Sequence, residues 1–142
     1  MGNKTEKQKI GELGESLTCR YLIKKGFEIV DRNYRKPWGE IDIVAKNDQK
    51  VVFVEVKTVT GNFPEVFTGN IVRNVTHVTK DEYRPEDNVH SWKLSRLSRV
   101  IRTYLLYKYK NREPDWQFDV ITVVLDQKTK KAKIKHLENI IL

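Results

Sequence analysis

Cysteine, methionine and proline are scarce in this chain, with one Cys, one Met and four Pro among 142 residues. A single cysteine excludes an internal disulfide and a multi-cysteine zinc site and suits a reducing compartment; Cys19 reads as a small core residue. The three histidines, His77, His90 and His136, show no ligand spacing with one another or with Cys19, so zinc is not expected. Long apolar runs are also missing. The longest, such as 51–54 and 140–142, fall far below the roughly 20 residues that a bilayer-crossing helix needs. The opening MGNKTEKQK has no apolar segment of the kind a secretory signal carries, and Glu6 spoils the myristoylation pattern that Gly2 would begin. A cytoplasmic protein without a membrane span is expected. Neither a glycine-rich phosphate loop nor a Ser-His-Asp arrangement is apparent.

Hydrophobic residues make up 39% and aromatic residues 10% of the chain, too many for a disordered one. The length suits one domain over 1–142. Acids are the minority charge: 27 Lys+Arg against 19 Asp+Glu leave a formal +8. That excess favours a polyanionic partner, nucleic acid before anionic lipid.

Capping signals and periodicity predict a helix over 5–25, begun by Asn3 or Thr5 and stopped by Gly26. Gly11 and Gly14 inside it each cost about 1 kcal/mol against alanine, so their expected use is close approach of another backbone. Strands are predicted over 27–34, 40–45 and 51–57, the last two forming a hairpin around Asn47 and Asp48. Residues 58–90, broken by Gly61, Pro64, Gly69 and Pro85, read as a long loop or flap. A second amphipathic helix is predicted over 92–110, with Leu94, Leu97, Ile101, Tyr104 and Leu105 on one stripe. Strands over 117–125 and 131–136 follow, and the lysines 131, 133 and 135 read as guards of an edge strand. The order makes the fold class α/β, helices packed on a mixed sheet.

The chemistry is concentrated in GEIDIVA and VVFVEVK. If their hairpin is regular, positions summing to 97 oppose each other, which sets Asp42 opposite Glu55 and Glu40 opposite Lys57. Two acids facing each other destabilise a sheet unless something compensates, and a hard divalent cation, Mg²⁺ or Mn²⁺, does so through oxygen ligands. Asp42 and Glu55 are therefore candidate metal ligands and catalytic residues. Lys57, on the same strand face as Glu55, is placed to act on an attacking water, and Glu15, at the edge of the first helix's packed face, is a third candidate acid. The bland alternative is a cross-strand salt-bridge ladder, which would alternate signs throughout. Lys93, Arg96 and Arg35 are candidate nucleic-acid contacts. Arg99 and Arg102 read as an ordinary solvated helix face. Trp38, Trp92 and Trp116 read as core or anchors, and Asp119 as a structural hydrogen-bonding group at a strand end.

With GELGESLTCRYLIKKGFEIVDRNYR ahead of GEIDIVA and VVFVEVKT, and more loosely KLSRLSRVIRTYL and FDVITVV after them, the sequence resembles the restriction-endonuclease-like PD-(D/E)xK superfamily. Within it, the chain resembles the small bacterial YraN-like group. The resemblance implies an αβββαβ core and maps the motif acids onto Asp42 and Glu55, the motif lysine onto Lys57 and the helix acid onto Glu15. The pattern is also similar to archaeal Holliday junction resolvases, which implies branched DNA as substrate and a homodimer. No Pro directly precedes Asp42, where Ile41 stands. The expected function is Mg²⁺-dependent endonucleolytic hydrolysis of DNA; the competing reading is a non-catalytic nucleic-acid-binding module on the same fold.

Overall fold

A computed structural model describes residues 2–61, 75–77, 91–126 and 128–142, with the side chains of 75–77 and 91–93 left out of the description. The chain runs α1 (Glu6–Lys24), β1 (Glu28–Lys36), β2 (Gly39–Lys46), β3 (Val51–Thr60), β4 (Val75–His77), α2 (Ser91–Tyr109), β5 (Trp116–Asp126) and β6 (Lys131–Leu137). The mixed α/β architecture agrees with the restriction-endonuclease-like core expected from the sequence. Thr5 caps α1: its hydroxyl accepts from the Gln8 amide at 3.1 Å while the Gln8 side chain accepts from the Thr5 amide at 2.9 Å, a reciprocal capping box. Gly26, at φ +96°, ends the helix in a conformation that side chains resist.

One six-stranded sheet has the order β1-β2-β3-β5-β6-β4. β1, β2 and β3 pair antiparallel, β3 and β5 parallel. The helices cover opposite faces. Leu97, Val100, Ile101, Tyr104 and Leu105 of α2 pack with Val44, Phe53 and Phe118 on one side. Cys19, Tyr21 and Leu22 of α1 pack with Ile43, Val52, Val54 and Ile121 on the other. Period-2 alternation along β3 makes this sandwich: Val52 and Val54 feed one core, Val51 and Phe53 the other.

Three expectations change. The 58–90 stretch is not all loop: its first three positions continue β3 to Thr60 alongside β5, and residues 75–77 form β4; the rest of the flap reading, with Pro64, Pro85 and His90, lies outside the described residues. β6 is only partly an edge: β4 pairs with Ile134, Lys135 and His136 along its outer side, so Lys135 does not guard a free strand. Gly11 and Gly14 separate. A Cβ at Gly11 would meet nothing within 4 Å, whereas one at Gly14 would lie 1.8 Å from Thr58 Oγ1 and 2.8 Å from Thr58 Cβ. Only Gly14 serves the close approach, seating α1 on β3 one residue past Lys57.

Asp119 does make the structural hydrogen bonds expected of it, and more. Its Oδ1 accepts from the Gln117 side chain and the Asn139 amide, both at 2.8 Å, and its Oδ2 lies 2.7 Å from His136 Nε2. The other ring nitrogen of His136 is 2.6 Å from the Tyr21 hydroxyl. This buried chain ties α1 to β5 and β6, and its every polar end is engaged.

Gly14→Ala is expected to lower the thermal midpoint, because the Thr58 contact outweighs the roughly 1 kcal/mol that alanine gains in a helix interior. Gly11→Ala should raise it by that helix gain, and paired melting curves check both; equal stabilisation by the two would refute the close-approach assignment.

Candidate functional site

β2 and β3 pair in the expected register, from Lys46↔Val51 through Ile43↔Val54. The ladder ends there. The next amide of β3 that could turn toward β2, that of Val56, donates to Asp42 Oδ2 at 2.8 Å instead of to a backbone carbonyl. A carboxylate thus stands where a strand partner would, and Glu55 lies beside it. Asp42 is 8% exposed and Glu55 9%.

The local cause is a slip in alternation. Ile41 and Val44 pack into the α2-side core while Ile43 and Ala45 pack into the α1-side core, so the phase changes at Asp42. Across the β1–β2 hairpin, Asn33 falls between the pairs Arg32↔Ile43 and Tyr34↔Ile41 and takes φ 53°, a left-handed conformation that asparagine tolerates better than most residues. On the β1 side of β2, the Glu40 carboxylate pairs with Arg35 Nε at 2.8 Å across that hairpin; the β2–β3 ladder ends before it reaches Glu40 and Lys57. Arg35 is therefore an ion-pair partner at the rim of the site.

Asp42, Glu15, Glu40, Arg35, Asn33 and Thr58 line a cavity of about 760 Å³ between α1 and the sheet. Gly14 holds the next residue, Glu15, against it. Burial pushes the Glu15 carboxyl up and the Glu40 charge adds to this, while the Arg32 charge and a hydrogen bond from Asn33 pull it back. Asp42 is affected far more: burial first and the Glu55 charge second push its carboxyl up to about 8, against the pull of the Val56 amide, and Glu15 adds further repulsion. The side chains of Asp42 and Glu55 share a hydrogen bond.

Of the candidate residues, Asp42, Glu55 and Glu15 are thus brought together electrostatically. Lys57 is half-buried two residues beyond Glu55, beside Thr122 of β5, and neither it nor Glu55 lines the cavity holding Glu15. Arg96 is exposed on α2, with its carbonyl 3.4 Å from where a Cβ on Gly39 would stand. Lys93 belongs to α2, but its side chain falls outside the described residues. Sequence reasoning missed Asn33 and Arg32, which have no motif to announce them, and the Val56 amide, which no side-chain pattern encodes. It also missed a second donor group, Asp119, His136 and Glu138, whose ligand atoms lie within 4.8 Å of one another and could hold a metal ion; an ion there would have to displace the hydrogen bonds that Asp119 and His136 already make.

The raised Asp42 carboxyl has a signed consequence. Its folded-state value lies above the ordinary 3.8, so its stabilising protonated form is fully present below about 4 and is lost as pH rises through about 8, at about 1.4 kcal/mol per unit of difference. In EDTA, Asp42→Asn should melt above wild type by a margin that widens from pH 5 to pH 8, since the amide oxygen still accepts from Val56 and its N–H can donate to Glu55. Melting curves at the two pH values check this, and a constant margin would reject the buried acid pair as its source.

A family model described as an uncharacterised protein family, UPF0102, matches residues 14–123. A UPF0102 protein of Alkaliphilus oremlandii is 41% identical over 137 residues, covering 93% of this chain and 97% of its own. Another, of Corynebacterium efficiens, is 35% identical over 138 residues, covering 96% and 95%. A third, of Caldicellulosiruptor bescii, is 30% identical over 132 residues, covering 93% and 96%. Their shared name assigns no activity. The match spans α1 with its Glu15, the β2–β3 acid pair and most of β5, and on it the chain belongs to the UPF0102 family, the YraN-like group of the restriction-endonuclease-like superfamily.

Proposed function

We propose that this protein is a metal-dependent endonuclease that hydrolyses DNA phosphodiester bonds, with branched or distorted DNA favoured over plain duplex. One observation carries the reading: two acids from adjacent strands, both nearly buried, are set side by side where burial first and their mutual repulsion second raise the Asp42 carboxyl. A fold tolerates such a pair when a cation relieves it.

The donor set suits Mg²⁺ or Mn²⁺. It offers oxygens alone, it is largely dry, and its two carboxylates are the number that Mg²⁺ ordinarily takes from protein, keeping waters and substrate oxygens for the rest. Asp42 and Glu55 would hold the ion, and Glu15 would add negative charge from α1. The chemistry a bound ion supplies is polarisation of a phosphate oxygen and acidification of water.

The chain's own residues then divide the work. Hydrolysis requires a water oxygen to attack phosphorus, the bond to the leaving oxygen to break, and a proton to reach that oxygen. Lys57, an ammonium on the strand that carries Glu55, would orient the attacking water and offset the charge that grows on the phosphoryl oxygens. The Val56 amide fixes the Asp42 carboxylate through Oδ2. The formal +8 of the chain would draw the polyanion in.

Labelled duplex, single-stranded, flap and four-way-junction DNA should be cut in Mg²⁺ or Mn²⁺ and not in EDTA. Asp42→Ala and Lys57→Ala should each lower the rate by at least about a hundredfold, the scale of losing a positioned acid–base group, with DNA binding retained. Cutting by Asp42→Ala at the wild-type rate would reject the assignment, and binding without metal-dependent cutting by wild type would leave a nucleic-acid-binding module in its place.

A further inference from the structure

The two helices differ in charge. α1 mixes Glu6, Glu12 and Glu15 with its lysines, the interspersed pattern that solubility and helix stability favour. α2, of the same length, carries Lys93, Arg96, Arg99, Arg102 and Lys108 and no acid anywhere in SWKLSRLSRVIRTYLLYKY. Its apolar stripe is fully used against the sheet, so the arginines are left on the outside.

Arg96, Arg99 and Arg102 are exposed and line one surface groove of about 480 Å³ with Ser95, Thr103 and Leu106. Among the described residues no carboxylate pairs with Arg99 or Arg102. Arg99 is instead laid over the indole of Trp38, with Cζ 4.7 Å from the ring centroid. Trp38 is itself seated against the α2-side core at the β1–β2 turn. Stacking occupies the flat face of a guanidinium and leaves its N–H donors pointing outward from the edge, in the fork that matches phosphate oxygens. Arg99 stands on the exposed helix face expected of it, and the Trp38 contact restricts this long side chain before any ligand arrives.

The row also has a direction. Its Arg96 end abuts Gly39, three residues before Asp42, while two turns later Tyr104 reaches Asp31, which pairs with Val44. α2 therefore runs along β2 from Gly39 past the level of Asp42 to Val44, on the sheet face opposite the α1-side cavity that Asp42 lines. From Arg96 to Arg102 it advances about 9 Å, the rise of two to three phosphates along one strand of a duplex.

We infer that Arg96, Arg99 and Arg102 form a rail for the phosphate backbone of duplex DNA, with Arg99 oriented by Trp38. The inference rests on the nuclease reading for its choice of DNA as the polyanion. The rail is sequence-independent: no base edge is needed to satisfy it, and its contribution falls with salt.

Binding to a short fluorescent duplex is measured in EDTA between about 50 and 200 mM salt, the range over which counterion release is read. Wild type, Arg99→Ala, Arg102→Ala, Trp38→Leu and the Trp38→Leu/Arg99→Ala pair are compared, with melting curves to confirm folding. Each arginine variant should bind several-fold more weakly to every duplex sequence and lower the log–log salt slope by about 0.9, one phosphate contact. Trp38→Leu should weaken binding less than Arg99→Ala, and the pair no more than Arg99→Ala alone, because the indole acts through that guanidinium. Unchanged affinity and slope in both arginine variants would overturn the rail, as would arginine-dependent binding to phosphatidylserine vesicles with none to DNA. Because the assay needs no turnover, the two proposals fail separately: a wild type that binds through the row and cuts nothing removes the nuclease, and one that cuts while both arginine variants bind normally removes the rail.

Discussion

Two carboxylates in near contact, with little water to screen them, are the constraint around which this molecule is arranged. Asp42 and Glu55 come from strands whose ladder stops one residue pair short of them, and Asp42 takes over an amide that the sheet would otherwise have paired. Such an arrangement is costly on its own, since repulsion and desolvation act in the same direction. The surroundings hold it by rigidity. Val51 to Val54 and Ile43 to Ala45 are buried on both faces, so the strands that deliver the acids cannot drift apart without opening two cores.

Each helix contributes to the same place by a different device. α1 approaches through Gly14, whose missing side chain admits Thr58, and so carries Glu15 to the cavity that Asp42 lines. Its far end is fastened by Tyr21 to the His136–Asp119 pair, a buried polar link that specifies one seating of the helix because any other would strand polar groups. α2 is fixed by its apolar stripe and by the Tyr104 hydroxyl on Asp31 at 2.5 Å. Gly39 lets the start of β2 pass under its backbone.

The charge of the molecule is distributed to match. Negative charge is gathered and desolvated at the end of the β2–β3 ladder, where Glu15, Glu40, Asp42 and Glu55 influence one another. Positive charge is spread over α2 and held in water. The acids and the basic ridge thus lie on opposite faces of the same sheet.

The amino-acid sequence by itself determined the elements and the pairing of the central hairpin. Val-rich alternation at 51–54, the turn signals at Asn47 and Asp48, and the summed positions placed Ile43 opposite Val54 as observed, because period and turn length leave little freedom. It also singled out Asp42 and Glu55, since acids inside apolar strands are conspicuous. What tertiary structure decided lies where local rules yield. The alternation slips at Asp42 opposite the left-handed Asn33, and Glu40 takes Arg35 as its ion-pair partner across β1–β2. Gly14 and Gly11 looked alike until Thr58 distinguished them. Arg99 gained Trp38 from 61 positions away in the chain, and the Ile134–His136 stretch of β6 gained β4. Periodicity is a property of neighbours along the chain, whereas these outcomes depend on which distant backbone or side chain arrives at a given face, and only the folded packing fixes that.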